Sequence, residues 1–171
     1  MIEPAPIVAQ ADPADRAALA PLLAEMGRYY AEGLDDSLLA RAAEALTTPA
    51  GRAGPFCLIA RCNGMPAGFV SLSGFFPAFD FTWGLLLKDL FVAEAARGTG
   101  TARALMTAAM RFAGDGGYTR MDWTTDATNS RARRFYAGLG VAPADKVFYR
   151  MTDDALAAAA EDRWPPRRDP G

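Results

Sequence analysis

A glycine turn between two regular elements is the part of this sequence best suited to bind a charged ligand. The turn spans 97–103, after the apolar run Leu90-Phe91-Val92 and four intervening residues, and a segment of helical periodicity follows it directly. The first turn of a helix leaves main-chain N–H groups without internal partners, and the helix dipole adds partial positive charge there. Gly98 and Gly100 let a ligand approach the main chain closely, and Arg97 adds a formal positive charge. We therefore predict a diphosphate site at this turn.

Residue types exclude two other phosphate-binding turns. A dinucleotide fingerprint needs a third Gly or Ala three residues after Gly100, where this chain has Arg103. A Walker loop needs Gly-Lys-Ser/Thr at its end, and the chain contains no such triplet. Taken alone, a glycine turn before a helix is also compatible with a plain strand–helix connection.

The side chains available for catalysis are restricted because the chain has no histidine. Imidazole metal sites and Ser-His-Asp or Cys-His catalysis are excluded, and no metal site is predicted. The two cysteines, Cys57 and Cys62, are expected to be buried and inert. Tyrosine, carboxylates, lysine, the main chain and water remain. Tyr136 shares a helical face with Ala132 and Phe135, so periodicity alone makes it a core residue.

The elements that must position these residues alternate between strand and helix, which predicts an α/β fold with a mixed sheet. Two helices are expected early, one starting at Asp12-Pro13 and the other led by Asp35-Asp36; Pro21 should kink the first or mark a later start. Asn63 and Gly64 predict a hairpin turn. The predicted strands cover Ile7–Gln10, Phe56–Cys62, Ala67–Phe75, Trp83–Val92, Arg120–Thr125 and Lys146–Met151.

Composition narrows the class of partner. The 171 residues are 51% hydrophobic and 22% charged, which is typical of one ordinary globular domain. A formal net charge of -2 gives no basic surplus of the kind that nucleic-acid binders show. No stretch approaches the roughly 20 apolar residues that cross a bilayer, and the N-terminus resembles no signal peptide. A cytoplasmic protein without nucleic-acid or membrane partners is expected.

Two sequence blocks together resemble the GNAT acetyltransferases. Arg97-x-x-Gly100-x-Ala102, after an Asp-Leu-Phe-Val strand, is similar to the family's acetyl-CoA signature Arg/Gln-x-x-Gly-x-Gly/Ala. Residues 129–140 resemble the family helix Asn-x-x-Ala-x-x-Phe-Tyr-x-x-Leu-Gly. Within the family, the Leu-Lys-Asp-Leu-Phe-Val strand and Arg28-Tyr29-Tyr30 look most like the diamine and thialysine acetyltransferases, which commonly form homodimers.

The resemblance implies a single domain over 1–151, with a central, splayed, mostly antiparallel sheet flanked by helices, and a helix or tail over 152–171. It implies acetyl-CoA as cosubstrate and no metal. The pantetheine arm would pair with the main chain of Leu90, Phe91 and Val92, and Asn129 would lie beside it and cap the next helix. The diphosphate contacts would come from Arg97, Gly98, Thr99, Gly100, Thr101, Ala102 and Arg103.

The resemblance also gives Tyr136 the role of general acid. An amine attacks the acetyl carbonyl directly, while a main-chain N–H of the 90–92 stretch holds the developing oxyanion. The leaving thiolate then takes a proton from the phenol. A thiol has a pKa of about 8.5 and tyrosine about 10, so this transfer is only modestly uphill.

Tyr29, Tyr30 and Lys88 are the residues expected at the acceptor site, and two of them depart from the diamine-type pattern. That pattern has Glu at the position of Lys88 and an acidic residue at the position of Tyr30. Both changes remove negative charge from where a cationic polyamine would sit. One hypothesis is that Lys88 pairs with a substrate carboxylate; the alternative is a solvated or Asp-paired lysine. Asp89, Asp126 and Tyr30 are candidate relays for the ammonium proton.

The predicted function is transfer of an acetyl group from acetyl-CoA to the primary amine of a small molecule, such as an amino acid or a diamine. Two alternatives remain open. One is a catalytically silent CoA-binding regulatory domain, and the other is acetylation of a protein amine. A homodimer is expected from the branch that the sequence resembles.

Overall fold

The structure is a computed structural model that describes residues 5–30, 34–48, 50–78 and 81–164. Contacts divide the chain into two compact units, 1–124 and 125–171. The first unit contains β1 (Ile7–Gln10), a 3-10 turn (Pro13–Asp15), α1 (Arg16–Tyr30), α2 (Asp36–Thr47), β2 (Phe56–Cys62), β3 (Met65–Phe75), β4 (Gly84–Val92), a second 3-10 turn (Glu94–Ala96), α3 (Thr101–Asp115) and β5 (Arg120–Trp123). The second contains α4 (Ser130–Gly138) and α5 (Asp153–Ala160).

The five strands of the first unit form one sheet in the order β1-β2-β3-β4-β5. The first four are antiparallel to their neighbours, and β5 runs parallel to β4. Asn63 and Gly64 connect β2 to β3 with φ angles of 51° and 79°, the positive values that a tight hairpin turn requires. The predicted α/β fold with a mixed, mostly antiparallel sheet is therefore confirmed.

Helices cover both faces of this sheet because successive strand residues point to opposite sides. On one face, α1 and α2 bury an apolar cluster of Ala11, Leu19, Leu22, Leu23, Ala43, Cys57, Ile59, Phe69 and Phe91. On the other face lies α3, whose Leu105, Met106 and Ala109 are at most 2% exposed. Helices α1 and α3 thus both pack on β4, the strand expected to bind the cofactor.

Local capping explains where the first 3-10 turn, which leads into α1, and the helix α2 begin. The carboxylate of Asp12 accepts a hydrogen bond from the N–H of Ala14 at 2.8 Å, and the carboxylate of Asp15 accepts one from the N–H of Asp12 at 3.0 Å. Asp35 caps α2 in the same way, accepting from the N–H of Leu38 at 2.8 Å. Pro21 does not mark a later start of α1: the helix continues through it, since packing of the α1 apolar face offsets one missing hydrogen bond.

The predicted last strand, near Lys146 to Met151, is wrong. No strand forms there in the part of the chain that the structure describes, and Val147, Phe148 and Tyr149 are 77%, 68% and 88% exposed. An apolar run makes a strand only when another strand edge satisfies its main-chain groups, and within the described residues this run has no such partner. The helix expected in the tail is present as α5, while 165–171 lie outside the described residues.

The two thiols differ in environment. Cys57 is 1% exposed, and burial raises the pKa of its thiol to about 12, with smaller contributions from the charges of Asp15 and Asp89. Cys62 is only partly buried, and its Sγ lies 3.6 Å from Oγ1 of Thr101. The expected burial is therefore confirmed for Cys57 and incomplete for Cys62.

Iodoacetamide at pH 8 is expected to alkylate the folded protein at Cys62 and to spare Cys57. The raised pKa of Cys57 keeps its reactive thiolate scarce in the folded state. By the same shift, the contribution of the buried, protonated thiol to the stability of the fold is fully present below the unfolded pKa of about 8.5 and is lost as pH rises towards 12. Peptide mass spectrometry of native and urea-unfolded samples measures both sites. Equal labelling of the two thiols in the native sample would contradict the prediction.

Candidate active site

The second half of β4 has an open edge. On one side, β5 pairs with β4 only from Gly84 to Leu87, ending at Trp123. On the other side, β3 pairs with β4 as far as Val92. Among the described strands, none pairs with Lys88–Val92 on the β5 side. The main-chain groups that point to that side are therefore available to a ligand.

Alternation along the antiparallel ladder identifies those groups. The N–H of Ala93 donates to the carbonyl of Ala67 at 3.0 Å, so residue 93 belongs to a hydrogen-bonded pair. Hydrogen-bonded and non-hydrogen-bonded pairs alternate, so Leu90 and Val92 direct their N–H and C=O groups away from β3. The carbonyl of Val92 indeed accepts a bond from Nε of Arg97 at 3.4 Å on that side. Both groups of Leu90 and the N–H of Val92 line the open edge.

Lys88 lies where β4 changes its pairing on both sides. Asp89 pairs with Ser71 and Leu87 with Leu72, so Lys88 has no partner residue on β3 and forms a β-bulge. Pairing with β5 also ends at the residue before it. Bulges often end pairing and redirect a side chain beside functional sites. The side chain of Lys88 is exposed.

The glycine turn leads from this edge into α3. Gly98 and Gly100 both have φ of 85°, a left-handed conformation in which any residue with a side chain would be strained. The first intrahelical bond of α3 runs from the N–H of Ala104 to the carbonyl of Gly100, so the N–H groups of 101–103 precede the helical ladder. No side chain caps this start. The turn therefore presents several main-chain donors at the positive end of a 15-residue helix.

The space in front of the turn is open, and its own side chains fold inward. A Cβ built on either Gly98 or Gly100 meets no atom within 4 Å. Thr99 donates from Oγ1 to the carbonyl of Ala96 at 2.7 Å, and its Oγ1 lies 2.8 Å from Oγ1 of Thr101, which is 1% exposed. Threonine hydroxyls thus brace the turn from inside. A diphosphate could reach the main chain without displacing a side chain.

Arg97 is held by α1. Its Nη2 donates to the hydroxyl of Tyr29 at 2.6 Å, and its guanidinium lies 5.3 Å from the centre of that ring. The hydrogen bond to Tyr29 is the main cause that raises the pKa of Arg97 above its ordinary value. One helical turn earlier, Glu25 accepts from the N–H of Glu94 at 2.8 Å. These contacts were not foreseen, although Glu25 and Tyr29 stand at helical spacing.

Asp89 has a structural partner. Its Oδ2 accepts a hydrogen bond from Oγ of Ser71 at 2.5 Å, across the β3–β4 pair. Phe91, two residues on, is 7% exposed and packs in the α1–α2 cluster. The same alternation turns its main-chain N–H and C=O toward β3, so Phe91, unlike Leu90 and Val92, does not contribute to the open edge. The predicted residues Leu90, Val92 and 97–103 come together in the first unit. Tyr30 ends α1, and its side chain lies outside the described residues.

The second sequence block forms α4 in the second unit. Asn129 caps this helix: its Oδ1 accepts from the N–H of Ala132 at 3.0 Å, as the sequence predicted. Tyr136 lies on the same helix, partly buried, with its ring centre 5.3 Å from that of Phe135. The position predicted to be a core residue is thus only partly buried.

The described residues contain neither a cluster of metal ligands nor a membrane-spanning helix. Across 5–30, 34–48, 50–78 and 81–164, no group of three His, Cys, Asp or Glu side chains could hold a metal ion. No helix in those ranges is long and apolar enough to span a membrane.

Comparison with known proteins identifies the family. The model of the acetyltransferase (GNAT) family matches residues 20–141, most of the chain. The chain belongs to the GNAT acetyltransferases. Enzymes of this family are acyltransferases that use acetyl-CoA, and the open edge of β4 and the glycine turn lie inside the matched range.

Individual relatives agree with this GNAT assignment. The chain is 32% identical over 129 residues to an uncharacterized N-acetyltransferase, YhfO, of Bacillus subtilis (strain 168), covering 75% of this chain and 85% of the relative. An integron cassette protein from the mobile metagenome of V. cholerae superposes with a TM-score of 0.81 at 26% identity, covering 92% and 99% of the two chains. An aminoglycoside N-acetyltransferase in complex with CoA has the same fold, with a TM-score of 0.72 at 19% identity, covering 86% and 94%.

Proposed function

We propose that this GNAT protein transfers the acetyl group of acetyl-CoA to the primary amine of a small molecule. The observation that carries the proposal is the continuity of two donor arrays, the open edge of β4 and the uncapped start of α3. CoA matches these two donor arrays, because its flexible pantetheine arm ends in a diphosphate. The aminoglycoside acetyltransferase of similar fold, which was solved with CoA, supports the same assignment.

The residues present fit such a ligand. Leu90 and Val92 would pair with the amide groups of the pantetheine arm. The N–H groups of 101–103, with the main chain of Gly98 to Gly100 and the charge of Arg97, would hold the diphosphate. Asn129 would lie beside the arm. The bound thioester supplies an activated acetyl group.

The chain's own groups then hold the developing negative charge and supply the proton of the leaving thiol, while the proton lost by the amine passes to water, which also reprotonates the phenol. A main-chain N–H at the open edge, from Leu90 or Val92, holds the negative charge that develops on the acetyl oxygen as the amine attacks. Tyr136 gives its phenolic proton to the leaving sulfur. The pKa gap between phenol and thiol, about 1.5 units, corresponds to about 2 kcal/mol, which a positioned donor overcomes.

The acceptor proposed here carries a carboxylate. Lys88 stands at the bulge, exposed, at the point where β4 leaves β5. The branch with the most similar motifs acetylates diamines, but a cation at this position disfavours them. An amino acid or small amino-carboxylate is the class that Lys88 would attract.

Lys88→Glu is therefore expected to reverse the order of acceptor substrates. For an amino-carboxylate, kcat/KM should fall roughly tenfold, because the attraction between residue 88 and the substrate carboxylate becomes repulsion. For diamines, kcat/KM should rise. Initial rates with matched amines, with and without a carboxylate, measure the change. Arg111→Glu makes the same charge change on an exposed position of α3 and should leave the order intact. An unaltered order in Lys88→Glu would remove the carboxylate hypothesis.

The function as a whole is tested by release of CoA thiol from acetyl-CoA in the presence of an amine panel. The panel should include amino acids, lysine analogues, polyamines, aminoglycosides and a peptide with a free N-terminus. Turnover with a small amine supports the proposal, and turnover with the peptide alone indicates a protein amine. Tight CoA binding without any turnover indicates a silent CoA-binding domain.

A further inference from the structure

The last two turns of α1 clamp the segment that joins β4 to the glycine turn. Glu25 and Tyr29, four residues apart on one face of α1, contact positions 94 and 97 respectively. The ring of Tyr29 also lies 6.5 Å from that of Phe91 on β4. The clamp therefore joins a helix near the N-terminus to the proposed cofactor site.

The guanidinium of Arg97 is fixed at two of its three nitrogens. Nε donates to the carbonyl of Val92 at 3.4 Å, and Nη2 donates to Tyr29 at 2.6 Å. The plane of the group also rests near the Tyr29 ring. Within the described residues, Nη1 makes no hydrogen bond, and an arginine has five N–H donors. Arg97 thus keeps donors for an anion while its orientation is set by the protein.

We propose that Tyr29 is a positioning residue, which acts through Arg97 to hold the guanidinium ready for the diphosphate of CoA. This inference rests on the proposed function, since it requires CoA as the ligand. It gives Tyr29 a role different from the acceptor contact that the sequence predicted. The tyrosine hydroxyl is already engaged by Arg97, and its ring supports the same group.

Preorganisation is the physical reason for such an arrangement. A free arginine side chain loses rotamer freedom when it binds a phosphate, which weakens the binding. A side chain already held at Nε and Nη2 loses less. Removing the Tyr29 hydroxyl leaves the ring contact and the bond to Val92, so the site should persist with lower affinity rather than disappear.

The test is calorimetry with CoA and with pantetheine, which lacks the diphosphate. Tyr29→Phe is expected to raise the Kd of CoA roughly fivefold to tenfold, the range for one ordinary hydrogen bond, because the ring contact and the bond to Val92 still hold part of the guanidinium, and to leave the Kd of pantetheine unchanged. In an Arg97→Gln background, adding Tyr29→Phe should cause no further loss, because the partner through which Tyr29 acts is gone. The KM for the amine should stay as in wild type.

Tyr118→Phe is the matched control. Its hydroxyl also makes a hydrogen bond, to the carbonyl of Arg52 at 2.7 Å, but near the other end of α3. It should lower the unfolding temperature without changing CoA affinity. An unchanged Kd for CoA in Tyr29→Phe, an equal loss for pantetheine, additivity with Arg97→Gln, or a raised KM for the amine alone would each overturn the inference. Failure of the wild type to bind CoA would instead remove the proposed function, and the inference with it.

Discussion

Tyr136→Phe is expected to lower kcat by at least about 10², while the Kd of CoA stays nearly unchanged. The substitution removes only the hydroxyl, so the ring contact with Phe135 on α4 is retained. Without a positioned donor, the thiolate must leave with its charge or find a proton in solvent. The effect should therefore appear in the chemical step and hardly at all in cofactor binding. Steady-state rates with the best amine, combined with calorimetry, separate the two quantities.

Tyr149→Phe provides the control for the Tyr136 prediction. Tyr149 belongs to the same unit, is 88% exposed and has no proposed role, so its loss of a hydroxyl should leave kcat unaltered. Thermal unfolding of both variants checks that neither lowers stability. If Tyr136→Phe turned over amine at the wild-type rate, the phenol would have no part in the mechanism, although the cofactor site could still be correct.

Local signals account for the parts of the fold and site that could be predicted from sequence. The glycine turn and the start of α3 depend on residues within a few positions of each other, as do the caps Asp12, Asp35 and Asn129. The N–H groups of a helix start follow from chain order alone. For this reason the predicted glycine turn and helix start are both found in the structure, while the diphosphate contacts stay a prediction.

Pairings between distant residues account for what could not be predicted. The bulge at Lys88 depends on how β4 registers with β3, and the open edge depends on β5 ending at Trp123. The hydrogen bond between Tyr29 and Arg97 joins residues 68 positions apart. The wrongly predicted strand over 146–151 has the same cause, because its apolar residues form a strand-like pattern but the sequence does not show whether another strand pairs with it. Periodicity describes a single segment of the sequence, whereas each of these features depends on how two distant segments pair.

Gly68→Ala should be among the most destabilising single substitutions near the site. Gly68 on β3 pairs with Val92 on β4, and an added Cβ would lie 2.4 Å from the carbonyl oxygen of Phe91 and 3.1 Å from Cα of Val92. Both obstacles are main-chain atoms, and Leu105 closes the space at 3.3 Å. Relief requires β3 and β4 to separate where the cofactor would bind. We expect a loss of about 3 kcal/mol in the free energy of unfolding and a fall of about 6–12 °C in Tm.

Gly114→Ala makes the same chemical change with the opposite expected sign. Gly114 lies in the last turn of α3, and a Cβ there meets no atom within 4 Å. A helical glycine replaced by alanine should raise stability by up to about 1 kcal/mol. Urea unfolding of both variants, with CoA titration of each, gives the comparison. A Gly68→Ala protein as stable as wild type would show that the two strands separate freely. Pairing with β3 keeps Leu90 and Val92 in register, with their main-chain groups directed to the open edge that is the proposed site of the pantetheine arm. If the strands separated freely, close pairing with β3 could not be what keeps those groups in place.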